Sequence, residues 1–247
     1  MSIEHLILLC LAMGLVAFLY SSVGHAGASG YIAVLSLAGW EPTVIKPTAL
    51  MLNILVALIA TWQFSRRGYF SWRHFWPFAV LAAPMAFLGG YLNLPVMVFK
   101  IIVGFVLLFS ACRFLMGTTE DSTVSLPPLK VALPIGAGLG LLSGLTGTGG
   151  GIFLTPLLLL MRWANTKTAA AVSALFILMN SSAGLLGNIS SARNFPTSAI
   201  PLAGVVVFAG FAGSHFGSDR FSPSTIKRLL AVVLLIAGLK ILWTSAN

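Results

Sequence analysis

Apolar runs of about twenty residues, the length that crosses a bilayer, recur from one end of this 247-residue chain to the other. Hydrophobic residues make up 58% of the chain and charged ones 8%, where a soluble domain carries roughly a quarter charged. No stretch alternates polar and apolar residues as a membrane β-strand would. The fold class implied is an all-α polytopic membrane protein. The opening "MSIEHLILLC" has no basic flank and no small-residue cleavage site, so it reads as the first helix and not as a leader. The net charge of +9 would suggest nucleic acid in a soluble protein. Here the basic residues flank apolar spans and read as topology determinants, with no nucleic-acid partner. Cys10 and Cys112 fall inside apolar runs with no CxxC and no histidine neighbour. They read as small buried hydrophobes, and neither a disulfide, a metal nor a cofactor is expected.

Eight apolar segments can be drawn, at 3–39, 47–64, 75–92, 96–116, 130–161, 168–189, 197–215 and 225–244. Two of them interrupt themselves with glycine and hydroxyl residues, the first at 24–30 and the fifth at 144–151. Residues 117–129, polar, acidic and proline-punctuated, read as a linker between two halves, 1–116 and 130–247. The halves share sparse matches in the same order. "GHAGASGYIAVLSL" from Gly24 lines up with "GLTGTGGGIFLTPLLL" from Gly144, setting Gly27 on Gly147 and Gly30 on Gly150. Asn53 then falls on Asn180, and "PVMVFKIIVGFVLL" on "PSTIKRLLAVVLL".

The basic residues decide whether these repeats are parallel or inverted. If all eight segments span, the fourteen Lys and Arg divide seven and seven, which specifies no orientation. Suppose instead that each interrupted segment returns to its own side as a re-entrant hairpin. One side then carries Arg66, Arg67, Arg73, Arg113, Lys130, Arg162, Lys167, Arg220, Lys227 and Arg228, against Lys46, Lys100, Arg193 and Lys240 on the other. Because cytoplasmic loops collect Lys and Arg, ten against four predicts two inverted repeats of four segments. Each repeat opens with a glycine-broken helix, and both termini are periplasmic.

The breaks are where function is expected. A helix from Leu6 to Ser21 rises about 24 Å, and irregular backbone at that depth survives only inside protein or along a wet cavity. Half-helix starts direct N–H groups at anions, and glycine lets a ligand approach the backbone. Ser21, Ser22, Gly24, His25, Gly27 and Ser29 at the first break, with Thr146, Gly147, Thr148, Gly149 and Gly150 at the second, form a donor-rich surface without carboxylates. Small residues also serve helix packing, but three consecutive glycines exceed what packing asks for. His25 either titrates at membrane depth or bonds a nearby carbonyl. Asn53 and Asn180 either cross-bond helices or reach the site, and repeat symmetry favours the site. Lys46 either snorkels to the interface or serves as the fixed cation for an anion, and Lys167 is the weaker candidate. No Asp or Glu falls mid-segment, which argues against cation transport and a carboxylate proton relay.

Two related halves that each open on a glycine-rich break resemble the TauE/SafE sulfite exporter family. The most specific piece is "GLTGTGGGIFLTP", Gly144 to Pro156, followed by the asparagine segment at Asn180. The first half departs from the family pattern, with "GHAGASGYIAVLS" in place of a glycine triplet and its following proline. The resemblance implies movement of sulfite, thiosulfate or organosulfonates such as sulfoacetate across a bacterial inner membrane. Lipid and a small sulfur anion are the partners expected. The anion is expected between the two tips in an alternating-access carrier, coupled to the membrane potential, to a proton on His25 or the substrate, or to a co-ion. The competing readings are an anion channel, a membrane assembly subunit, and an intramembrane serine hydrolase using Ser143 and His215.

Overall fold

A computed structural model describes residues 3–22, 24–92, 94–115, 125–192 and 197–217, together with 231–243 apart from 233, 237 and 240. Its order is α1 (Ile3–Ser22), α2 (Ala28–Leu37), α3 (Pro42–Arg66), α4 (Trp72–Tyr91), α5 (Val96–Leu115), α6 (Leu129–Thr146), α7 (Gly151–Leu160), α8 (Thr166–Ala192) and α9 (Ile200–Gly217). A 3-10 turn at Thr197–Ala199 precedes α9. The described residues of 231–243 are helical. The linker lies outside the described residues up to 124, as do Arg193, Arg220, Lys227, Arg228 and Lys240 of the charge argument.

The described helices fall on the apolar segments of the sequence, with differences at their boundaries; residues 225–230 of the eighth segment lie outside the described residues. The first interruption narrows to the residues between Ser22 and Ala28, and the second to those between Thr146 and Gly151. Ser29 and Gly30 are therefore inside α2, and Gly144 and Thr146 inside α6. The second segment begins at Pro42 and not at residue 47, because Pro42 takes the first helical position, where a missing N–H costs nothing.

Among the described residues four helices are long and apolar enough to cross a membrane: the helices over Glu4–Ser22, Pro42–Arg66, Leu129–Thr146 and Lys167–Ala192. The two longest, α3 and α8, span about 37 and 40 Å along their axes. They are also the most enclosed, 61 and 67% buried against 39 and 33% for α1 and α6. The pair is the centre of the molecule. Leu50 packs beside Gly184, Asn53 bonds Ser181, and Phe64 and Ala170 flank Gly24 together. Numbers climb on α3 as they fall on α8, so the two helices are antiparallel. Outside this pair the surface is apolar, with Leu8, Leu11, Leu15, Phe105 and Phe208 all exposed. Such a surface is stable facing lipid.

Small residues bring the outer helices in close. On α6, Gly136, Gly140 and Gly144 lie on the backbone carbonyls of Phe78, Ala82 and Ala86 of α4. A four-residue step on both helices makes that contact continuous and parallel. α9 meets α1 in the same way, Gly213 on the Phe18 carbonyl and Gly14 on Val205. Among the described residues the α4–α6 face is the most extensive, followed by α4–α8, α1–α9 and α3–α8.

Candidate functional site

Glycines in the left-handed region end the helices on either side of both connectors. After α1, the Gly24 amide donates to the Ser21 carbonyl at 3.1 Å and the His25 amide to that of Tyr20 at 3.0 Å. Gly24 sits at φ +80°, the paired closure that wants glycine at its left-handed position. α6 ends on Gly147 at φ +82°, whose amide donates to the Ser143 carbonyl. Three residues later in each connector comes a second such glycine, Gly27 at φ +103° and Gly150 at φ +78°, immediately before α2 and α7. The two connectors therefore share a pattern of left-handed glycines three residues apart, Gly24 and Gly27 in one and Gly147 and Gly150 in the other.

Both connectors reach the α3–α8 crossing, from opposite ends. Gly24 lies between Phe64 and Ala170, and from there the chain runs to Ala28, whose amide donates to Asn53 Oδ1 at 3.1 Å. In the second connector Gly147 lies against the Lys46 backbone, and Gly149 against Asn53 and Ser181. Gly150 lies against Phe176, Asn180 and Ser143. A Cβ at Gly149 would fall on the Asn53 amide nitrogen and 2.9 Å from Ser181 Oγ. Glycine is required there by both dihedral and space.

The two tips differ in how their polar groups are used. At the first, the Tyr20 hydroxyl meets Ser29 Oγ at 2.8 Å and that of Tyr31 donates to the Ala26 carbonyl at 2.9 Å. Asn53 is fully engaged, its Nδ2 donating to Ser181 Oγ at 2.9 Å while its Oδ1 caps α2. Ser22 donates to the Leu19 carbonyl. His25 is buried in the same connector. Of the hydroxyls expected at this tip only Ser21, buried, has no bond.

At the second tip Thr146 Oγ1 donates to the Leu142 carbonyl at 2.7 Å and meets Thr148 Oγ1 at 2.9 Å, so these two hydroxyls satisfy each other and the helix. Asn180 is different. It is 0% exposed, and neither its Oδ1 nor its Nδ2 has a partner. The Nδ2 lies 3.4 Å from the position a Gly150 Cβ would take, at the start of α7. Ser143, also 0% exposed and unbonded, flanks the same glycine. The first-turn amides of α7, Gly151 and Ile152, have no backbone acceptor, as at any helix start. Buried amides and hydroxyls without partners are uncommon and destabilising by about 1–3 kcal/mol each. The unbonded Asn180 amide, the Ser143 side chain and the start of α7 thus meet around Gly150.

Lys46 does not snorkel. It is 6% exposed, and its ammonium donates to the carbonyls of Gly89, Gly90 and Leu92 at 3.1, 3.0 and 3.2 Å, closing the end of α4. Lys167 lies over the Tyr69 ring at an exposed position. The arrangement a serine hydrolase would need is not assembled: the Ser143 hydroxyl makes no hydrogen bond, while His215 stacks on Phe211 of α9, which packs on α1. Among the described residues no group of His, Cys, Asp or Glu could hold a metal ion. Ser143, Ser181 and the closure of α4 by Lys46 carry no signal in the sequence as parts of this site.

Comparison with known proteins follows this geometry. Residues 9–241 match the family model described as sulfite exporter TauE/SafE. The chain is 41% identical over 241 residues to a protein of Sinorhizobium fredii (strain NBRC 101917 / NGR234) named "Probable membrane transporter protein y4hK", covering 95% of this chain and 97% of that one. No solved structure matches.

Proposed function

The chain belongs to the TauE/SafE sulfite exporter family of membrane transporters, and on that footing we propose that it carries a small sulfur anion through the α3–α8 crossing by alternating access. The substrate class is sulfite, thiosulfate or an organosulfonate such as sulfoacetate. The observation that carries the reading is the unbonded Asn180 amide, wholly buried beside the start of α7 together with the Ser143 hydroxyl. Donors held in place without a carboxylate nearby suit an oxyanion, which accepts several hydrogen bonds at once.

The frame for alternating access is a pair of inverted repeats, α1 to α5 and α6 onward, each opening on a glycine-broken, re-entrant helix. Matched lengths support it: 20 and 18 residues for α1 and α6, 10 and 10 for α2 and α7, 25 and 27 for α3 and α8. The exchange of partners supports it too, α4 packing on α6 where α9 packs on α1. The antiparallel run of α3 and α8, taken as counterparts, supports inversion, since parallel repeats would make them run the same way. With the repeats paired on their left-handed glycines, Gly24 with Gly147 and Gly27 with Gly150, Tyr20 and Tyr31 of the first tip correspond to Ser143 and Leu154 of the second. The first tip is thereby filled and capped, and the anion rests against the second. Gly24, Gly27 and Asn53 shape the crossing, and Gly147, Thr148, Gly149, Gly150 and Asn180 meet the anion. The ten-to-four division of basic residues sets the orientation in a bacterial inner membrane, termini outside. A divalent anion then leaves a negative-inside cell down the potential.

Flux of labelled sulfite into proteoliposomes, beside sulfoacetate and chloride, tests this. Saturable flux of the sulfur anions without chloride flux is expected. Flux that rises linearly with concentration would make the protein a channel, and none above empty liposomes would end the transporter reading for these anions.

A further inference from the structure

A cavity of about 260 Å³ opens beside the second tip, where the start of α3, the segment after α4 and the end of α8 meet. Thr43, Lys46, Leu92, Leu145, Asn188 and Ala192 are on its wall. The volume is that of about eight or nine waters in the liquid, enough for a sulfite or small sulfonate with part of its hydration. Three features of the wall act in one direction. The Lys46 ammonium is 6% exposed and held only by neutral carbonyls. The end of a helix presents about half a negative charge, so roughly half of the lysine's charge is left without compensation. Among the described residues no carboxylate pairs with it; that of Glu41 accepts from the Thr43 hydroxyl at 3.4 Å. Asn188, 5% exposed, lines the cavity beside Lys46. The start of α3, whose first turn includes Pro42 and Thr43, adds the positive end of a helix. Leu145 on the same wall is two residues from Gly147, and a Cβ at Gly147 would stand 3.1 Å from the Lys46 carbonyl. The cavity therefore adjoins the second tip.

We propose that this cavity is a second, outer oxyanion site, in which the Lys46 ammonium and the Asn188 amide hold the sulfonate or sulfite oxygens on the anion's path between Asn180 and the outer mouth. The anion's class rests on the transport reading; the site itself rests on the cavity. Lys46 lies on the sparsely basic side of the chain, so a single buried cation here gives that mouth the attraction for anions that its surface lacks. An arriving oxyanion competes with three neutral carbonyls for the ammonium, and a charge-assisted hydrogen bond is roughly twice as strong as a neutral one. Binding would thus loosen the tie between α3 and the end of α4.

The test uses the full chain purified in detergent, with thermal unfolding followed by tryptophan fluorescence in rising sulfoacetate. Chloride and sodium serve as controls. Ligand that binds only the folded state raises the melting temperature. Saturable stabilisation is expected for the wild type, to survive in Asn180→Leu, which removes the inner site, and to need about tenfold more sulfoacetate in Asn180→Leu/Asn188→Leu. Leucine keeps about the volume of Asn188, so this variant tests the site even if Lys46→Met does not fold. Stabilisation at unchanged sulfoacetate concentration in the double variant, stabilisation already absent in Asn180→Leu or the wild type, or stabilisation that sodium produces in place of the anion, overturns the outer site. In proteoliposomes Asn188→Leu should raise KM about tenfold or more, the factor that corresponds to loss of one good contact, with kcat within about twofold. A fall in kcat at unchanged KM also overturns it. Saturable, Asn188-dependent binding by a wild type that moves no anion would keep the site and remove the transport reading.

Discussion

Two alanine substitutions on α6, two residues apart, should move stability in opposite directions. A Cβ at Gly140 would stand 2.6 Å from Ala82 Cα and 2.7 Å from its carbonyl carbon, with the carbonyl oxygen closer still. Carbon atoms rest at about 3.5–4.0 Å, so α4 would have to retreat by about 1 Å. The atoms in the way are backbone, so no rotamer change relieves the overlap. Overpacking of this kind costs about 1–3 kcal/mol. The retreat would also part Gly136 from Phe78 and Gly144 from Ala86, which belong to the same face. At Gly138 a Cβ meets nothing within 4 Å. Gly138→Ala then has only the gain from helix propensity, up to about 1 kcal/mol. That gain is common to both variants, so the difference between them isolates the contact. At about 2–4 °C per kcal/mol for a chain of this size, Gly140→Ala should melt several degrees below Gly138→Ala. The assay is thermal unfolding of both variants in one detergent. Equal melting temperatures would refute the close α4–α6 contact on which the outer packing rests.

Asn53→Ala removes both the cap on the Ala28 amide and the donor to Ser181, leaving buried groups unpaired. Thermal unfolding should show a loss of about 1–3 kcal/mol. Asn180→Leu should do the reverse, melting higher than the wild type because an unbonded buried amide is replaced by an apolar group of similar size, while labelled-sulfite flux falls to background. Arg162, which ends α7 at φ +54°, holds a conformation that costs a non-glycine residue about 1–2 kcal/mol. Arg162→Gly relieves it, and a higher melting temperature at unchanged flux is the expected result.

The composition of the chain was enough to read an all-helical membrane protein, and the two glycine-rich stretches were found within a few residues of the connectors. The errors are instructive. Gly30 and Gly144 look like helix breakers but lie inside α2 and α6, where they admit Val16 and Tyr20 of α1 and the Ala86 backbone of α4. Whether a glycine ends a helix or admits a neighbour depends on its dihedral and on what arrives from elsewhere, and neither is local. The hydroxyls misled for a related reason. Ser22 and Thr146 turn back onto their own helices, an option open to any serine or threonine in a helix. Asn53 and Asn180 look equivalent in sequence. Only the arrival of the Ala28 amide at one and not at the other separates a strut from a candidate ligand. Lys46 lines the cavity and also closes α4, because carbonyls 43 to 46 residues away come to meet it.

The most direct test of the central claim is counterflow. Proteoliposomes are preloaded with unlabelled sulfite and diluted into a trace of labelled sulfite, for the wild type and for Asn180→Leu. A carrier whose single inner site faces each side in turn takes up label faster when preloaded, and the variant, folded but without the amide, does not. Uptake indifferent to preloading, or preserved in Asn180→Leu, would contradict an anion carried at the start of α7.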